Sequence, residues 1–253
     1  MNSWLKLHAL DAALCRKAVA DGQAQHGTTP PAIDRNAAIN LTTDDILATV
    51  AAGFGQMIPG AASEIADQLQ RVPLVCDPEV VKRLSGGQRA LTLEDDGTGR
   101  PVVLCPYAGR LRDAIALAHE LGHALQYLRA PKTVSPVVRE VAAFLAELAL
   151  IRGLEATREA TAAQLQAYWT SQTWHIFHDQ GRALLKALEQ HQGDPQTRAD
   201  VAYDYAWNYP IGRRALLQLV PPDAPADSSG ASTQQAMVSI LNGTLDLGAA
   251  LRG

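Results

Sequence analysis

No uninterrupted apolar run in this 253-residue chain approaches the roughly 20 residues that a membrane-spanning helix needs, so no membrane partner is expected. No basic cluster stands out either. The chain has 22 Lys and Arg against 26 Asp and Glu, a net charge of −4, whereas a nucleic-acid partner would call for a clustered cationic face. Cysteine is scarce: Cys15, Cys76 and Cys105 are too far apart for a CxxC metal knuckle, and an odd, sparse set argues against a disulfide framework. Reduced thiols packed as small apolar groups are expected. The N-terminus lacks an apolar core followed by a cleavage site, which makes a cytoplasmic location the expectation and leaves open an export route without a cleavable signal. Aromatic residues are few, at 5%.

What is present is helix-forming. Hydrophobic residues make up 47% of the chain and charged ones 19%, with alanine and leucine abundant, which fits one mainly α domain with a sizeable core. Helical spacings predict a first helix from Ser3 to about Gly22, a second from Thr43 to near Pro59-Gly60 and a third over Ala62–Leu69. Val72–Tyr107 is the only sheet-like part, with Arg89–Leu93 and Pro101–Cys105 flanking DDGTGR as a hairpin. Further helices are predicted over Arg110–Leu128, from Ser135-Pro136 to about Ile151, as one or two over Glu155–Gln192, and over Gln196–Val220. A PPDAPADSSGAS linker then leads to a last helix over Thr233–Leu251. The expected architecture is mainly α, with a small hairpin or sheet beside the central helices.

The segment AHELGHALQ contains His119-Glu120-Leu121-Gly122-His123, an HExxH pattern. On a helix, positions i and i+4 share a face, so two imidazoles at this spacing reach one ion together. Glu120 is turned about 100° from His119 and so suits a general base toward the attacking water better than a ligand. Apolar neighbours on both sides, Leu117, Ala118, Leu121 and Leu125 among them, put the motif on a buried helix. Gly122 costs about 1 kcal/mol relative to alanine inside a helix, which asks for a packing or access reason.

A catalytic zinc site takes three protein ligands. The third is expected from the next helix, SPVVREVAAFLAEL, where Val137, Val141, Phe144 and Leu148 form the buried stripe and Glu140 flanks it. Glu147 lies seven residues on, on nearly the same face, and is expected to orient a histidine ligand from behind.

From Pro101 to Glu147 the chain resembles the zinc-site region of the oligopeptidase F and thimet oligopeptidase family. PVVLCPYAGRLRDAIALAHELGHALQ resembles that family's strand, linker and motif helix, and REVAAFLAE its glutamate-ligand segment. The resemblance implies a zincin-like helical catalytic domain with its catalytic core at about 72–220, with His119, His123 and Glu140 as zinc ligands and Glu120 as base. AYDYAWNYPIG further resembles the family's tyrosine-rich helix, whose hydroxyls contact the substrate carbonyl. Two registers fit, offering Tyr203, Tyr205 and Tyr209; Tyr205 matches a family tyrosine in both and is the expected donor to the carbonyl oxygen as it gains charge, with Tyr203 and Tyr209 as further substrate contacts. Gln126 stands where the family often has a histidine, and the His123–Glu140 interval is shorter than usual. The chain is less than half a full member's length, which implies a reduced lid.

The function expected from these residues is zinc-dependent hydrolysis of peptide bonds, of the metalloendopeptidase or oligopeptidase type, on a peptide or protein substrate. Manganese or cobalt could substitute for zinc. The competing expectations are a zinc-binding scaffold or regulator without turnover, and a dedicated maturation protease or exported effector with one protein substrate.

Overall fold

The structure is a computed structural model that describes residues 1–87, 90–93, 99–130, 133–192, 202–221 and 230–252. The predicted first helix is two. Helix α1 (Asn2–Leu7) ends before Ala9, whose φ of 51° no helix tolerates, and α2 (Ala12–His26) restarts where the Asp11 carboxylate accepts from Leu14 N. Helix α3 (Thr43–Met57) opens on a capping box between Thr42 and Asp45, and α4 (Ala62–Leu69) has the predicted bounds.

The 72–107 segment is not all sheet. Strand β1 (Leu74–Val75) runs into α5 (Pro78–Leu84), a helix that begins with Asp77 accepting from Glu79 N and Val80 N and with proline at its first position. Strands β2 (Leu91–Leu93) and β3 (Val102–Leu104) pair antiparallel, Leu91 opposite Leu104, as the hairpin reading expects. Of the turn between them, residues 94–98 lie outside the described residues, as does Arg89 of the first predicted strand. Strand β1 adds in parallel on the far side of β3, giving the order β1-β3-β2 with β2 at an edge.

Helices α6 (Leu111–Arg129) and α7 (Pro136–Glu155) match their expected places. The predicted 155–192 stretch is α8 (Glu159–His175), a π turn (Ile176–Gln180) and α9 (Gly181–Gln192) in succession. Of the predicted helix over 196–220, residues 196–201 lie outside the described residues. The chain then makes a 3-10 turn at Tyr205–Trp207 before α10 (Asn208–Leu219). Most of the predicted linker, 222–229, is likewise outside the described residues. The last predicted helix is broken at Gly243, where φ is +67°, into α11 (Ala231–Leu241) and α12 (Leu247–Arg252).

Helix α7 is the axis of the molecule. It packs against α3, α6, α8, α10 and α11. Its residues are buried on every side from Glu140 to Leu154, so the single-stripe expectation for this helix is corrected: Ala142, Ala143, Leu145 and Ala149 are as buried as Val141 and Leu148. A helix apolar all round belongs inside. One contiguous core takes in residues from Trp4 to Leu251. The cysteines are free thiols, and burial pushes the Cys15 pKa up to about 12. Among the described residues, no helix is long and apolar enough to cross a membrane.

Candidate metal centre

Helices α6 and α7 can present a common site because their backbones nearly touch. A Cβ on Gly122 would stand 2.6 Å from both Ala142 O and Ala143 Cα, so glycine at this position is what allows the approach. Gly212 does the same for α10, where a Cβ would meet Glu140 Cβ at 3.1 Å. Three helices thus converge on Glu140.

His119, His123 and Glu140 each direct one ligand atom to a common point, and those atoms lie within 4.8 Å of one another. His119 Nε2 is 3.4 Å from Glu140 Oε2, and His123 Nε2 is 3.7 Å from Glu140 Oε1. Tetrahedral ligands about 2.0–2.1 Å from zinc stand roughly 3.3 Å apart, so closing on an ion draws together side-chain atoms that already lie within 4.8 Å of one another. The two imidazole rings are nearly perpendicular, at 87° with centroids 4.9 Å apart.

Two of the three candidate ligands, His119 and Glu140, are held from behind. His119 Nδ1 is 2.7 Å from Glu147 Oε1, which leaves Nε2 for the metal side. Glu147 Oε2 accepts in turn from Arg213 Nη2 at 2.8 Å. The Arg213 guanidinium carbon lies 3.9 Å from the Phe144 ring centroid and 4.4 Å from that of Trp169, so a buried cation rests between two aromatic faces. Glu140 Oε1 accepts from the Tyr205 hydroxyl at 2.7 Å, while Oε2 is buried with no hydrogen-bond partner. Glu120 sits beside the group on α6, and its Oε2 is 2.7 Å from the Thr92 hydroxyl of β2.

The electrostatics ask for a cation. Glu120, Glu140 and Glu147 are buried; among the described residues the buried guanidinium facing them is Arg213, and the half-buried Arg139 borders the same hollow as Glu120 and Glu140. One divalent ion would balance the fully buried charges. Without it, burial acts to depress the His119 pKa, but the nearby carboxylates of Glu140, 3.4 Å away, and Glu147, hydrogen-bonded at Nδ1, outweigh that and hold it well above the usual imidazole value. Burial likewise acts to raise Glu140, and the neighbouring charges of His123 and His119 pull it below the ordinary carboxylate range. For Glu147, opposed by burial, the Arg213 charge leads in the same downward direction. Burial lowers His123. A pair of neutral-capable imidazoles, a buried carboxylate with an orphaned oxygen and a charge deficit fit a divalent ion that accepts nitrogen and oxygen ligands.

Of the residues singled out in the sequence, His119, Glu120, His123, Glu140, Glu147, Tyr205 and Tyr209 come together. Tyr209 borders the hollows on both sides of Glu120, and its hydroxyl makes no hydrogen bond among the described residues. Tyr203 stays at the rim, 52% exposed, its hydroxyl accepting from Asn208 Nδ2 at 2.8 Å. Gln126 is buried and donates to the carbonyls of Val138 and Ile240, tying α6 to α7 and α11. His175 pairs with Asp179 at 2.9 Å, and His178 stacks on Trp174 with centroids 4.3 Å apart.

Sequence reasoning missed Arg213 and Thr92. Arg213 follows Tyr209 by four residues, so it shares the face of a tyrosine already suspected, and that spacing was the available signal. Thr92 carried no signal, because only strand pairing brings β2 over α6. Comparisons with protein-family models, with curated proteins and with solved structures find no match for this chain.

Proposed function

We propose that this chain is a zinc-dependent peptidase of zincin-like build, holding the ion with His119, His123 and Glu140. The observation that carries the reading is the convergence of three ligand atoms within 4.8 Å, one of them beside a buried, unpartnered carboxylate oxygen, next to an acid that ligates nothing. A bound ion supplies Lewis-acid polarisation of the scissile carbonyl and lowers the pKa of water at the site.

The chain's own residues supply the rest. Thr92 holds Glu120 Oε2, so Oε1 is the oxygen free to take a proton from the attacking water and return it to the leaving amine. Tyr205 already donates to Glu140, which makes it a positioning residue for that ligand. Tyr209, with an unengaged hydroxyl between the two hollows, is the better donor to the carbonyl oxygen as it gains charge. Glu147 and Arg213 keep His119 in the tautomer that turns Nε2 inward.

The test is metal analysis of the purified chain together with an internally quenched peptide library, with and without a chelator. Stoichiometric zinc and chelator-sensitive cleavage that Glu120→Gln abolishes without loss of the metal are expected. Full zinc occupancy with no cleavage of any peptide would instead favour a scaffold that binds the ion without turnover.

A further inference from the structure

One face of α6 forms the floor of a groove. Going back from His123, that face carries Glu120 and His119, then Ala116, then Arg112, at helical spacing. Three adjoining hollows lie along it. The first, about 440 Å³, is bordered by His123, His119 and Glu120; the second, about 720 Å³, by His119, Glu120 and Ala116; the third, about 370 Å³, by Ala116 and Arg112. Tyr209 is shared by the first two and Gln172 by the last two.

The third hollow has a chemistry of its own. Arg35, from the loop before α3, and Arg112, on the second residue of α6, both line it. The acid on its wall, Asp113, is committed to the backbone: Oδ2 accepts from Ala108 N at 3.0 Å and from Arg110 N at 3.3 Å. Its Oδ1 reaches Arg112 Nε only at 3.4 Å. Farther along the groove Glu147 is engaged with His119 and Arg213 and Asp179 with His175, while Glu120 and Glu140 belong to the candidate metal centre at the other end. This end of the groove is therefore positive, with two planar forks of donors suited to a carboxylate.

The helix also acts as a ruler. Arg112 precedes His119 by seven residues, about 10 Å along the axis. An extended peptide covers that distance in about three residues at ~3.3 Å each. We infer that the chain selects peptides with a carboxylate about three residues from the bond that is cut, and that Arg35 and Arg112 receive it. The carboxylate comes from an acidic side chain or from a free C-terminus. The inference rests on the peptidase reading and adds the substrate class to it.

The experiment uses the zinc-loaded full chain and quenched peptides that differ only in Glu or Gln three residues to either side of the cleaved bond, each with a free or an amidated C-terminus. The Glu peptide on one side is expected to have kcat/KM about tenfold above its Gln counterpart, mainly through KM. Arg35→Gln/Arg112→Gln should bring that ratio to about one, leave cleavage of the Gln peptide unchanged, and match the loss seen for the parent in about 1 M salt. A preference that follows the free C-terminus and not the Glu would identify the chain end as the source. Equal rates for all peptides, with cleavage intact, overturn the inference and leave the peptidase reading standing. If no peptide is cut, the peptidase reading fails, and anisotropy titration of the same labelled peptides onto chelator-treated protein decides the rest. Tighter binding of the acidic peptide that the double variant loses supports the carboxylate site; equal affinities overturn it.

Discussion

Glu147 Oε1 lies 2.7 Å from Nδ1 of His119, and its other oxygen lies 2.8 Å from Arg213 Nη2. A ligand of the candidate metal centre on α6 is therefore positioned by an acid on α7, which is itself neutralised by a base on α10. Three chain segments far apart in sequence are coupled through two hydrogen bonds.

That coupling predicts unequal losses. Arg213→Met leaves Glu147 buried without its cation and should destabilise the chelator-treated protein by about 3–5 kcal/mol in urea unfolding. Glu147→Leu added to it removes the stranded charge and should restore most of that stability. The double variant should still hold zinc about 10–100-fold more weakly, because His119 has lost its orienting acceptor. If the double variant is as unstable as the single one, the two residues do not act as one unit.

Metal removal should be visible in stability even if no substrate is found. An ion present at about a thousandfold its Kd adds about 4 kcal/mol to the folded state alone. Thermal unfolding with and without a chelator reads this, and His123→Ala should erase the difference. An identical Tm in both conditions would argue against an ion in this site.

The two inner tyrosines are predicted to fail differently. Tyr209→Phe should lower kcat about 10²–10³-fold with zinc affinity unchanged, as for loss of one donor at a developing oxyanion. Tyr205→Phe should act first on zinc affinity, since its hydroxyl bonds Glu140. The reverse pattern would exchange their roles.

Gly122→Ala tests the helix contact. The added methyl would meet the α7 backbone at 2.6 Å, with no flexible side chain to give way. A cost of about 1–3 kcal/mol is expected, together with weaker zinc binding as Glu140 is pushed from the histidines. Wild-type stability and affinity in this variant would mean that α6 and α7 do not approach so closely.

Away from the centre, His8 predicts a pH effect. Both ring nitrogens are buried without partners, and burial lowers the pKa from 6.5 to about 4. Between these values the unfolded chain binds a proton that the folded chain refuses, so stability is lost as pH falls from about 6.5 toward 4. His8→Phe should flatten this limb of the stability–pH curve. A parent-minus-variant difference that stays constant across the range would contradict the assignment.

Much of this was legible in the sequence because it is local. HExxH on an apolar helix, and acids seven residues apart on the next one, follow from helical periodicity, and so do the bounds of α4 and α6 and the start of α7, which runs on past the expected Ile151 to Glu155. Asp77-Pro78-Glu79 was a start signal for α5 that alternating apolar residues obscured. The break between α1 and α2 rests on one residue, Ala9, whose positive φ no residue-level preference announces.

The sequence by itself determined which residues could ligate an ion and which carboxylate could serve as base, because one helical turn brings those groups onto a common face. Only the tertiary structure decided that Glu140 completes the group, that Tyr205 is engaged with it while Tyr209 is not, and that Arg213 and Thr92 support the centre. Those relations depend on how closely α6, α7, α10 and β2 approach one another, and that is set by side-chain volumes meeting across the core, where a glycine facing a backbone leaves no trace in periodicity.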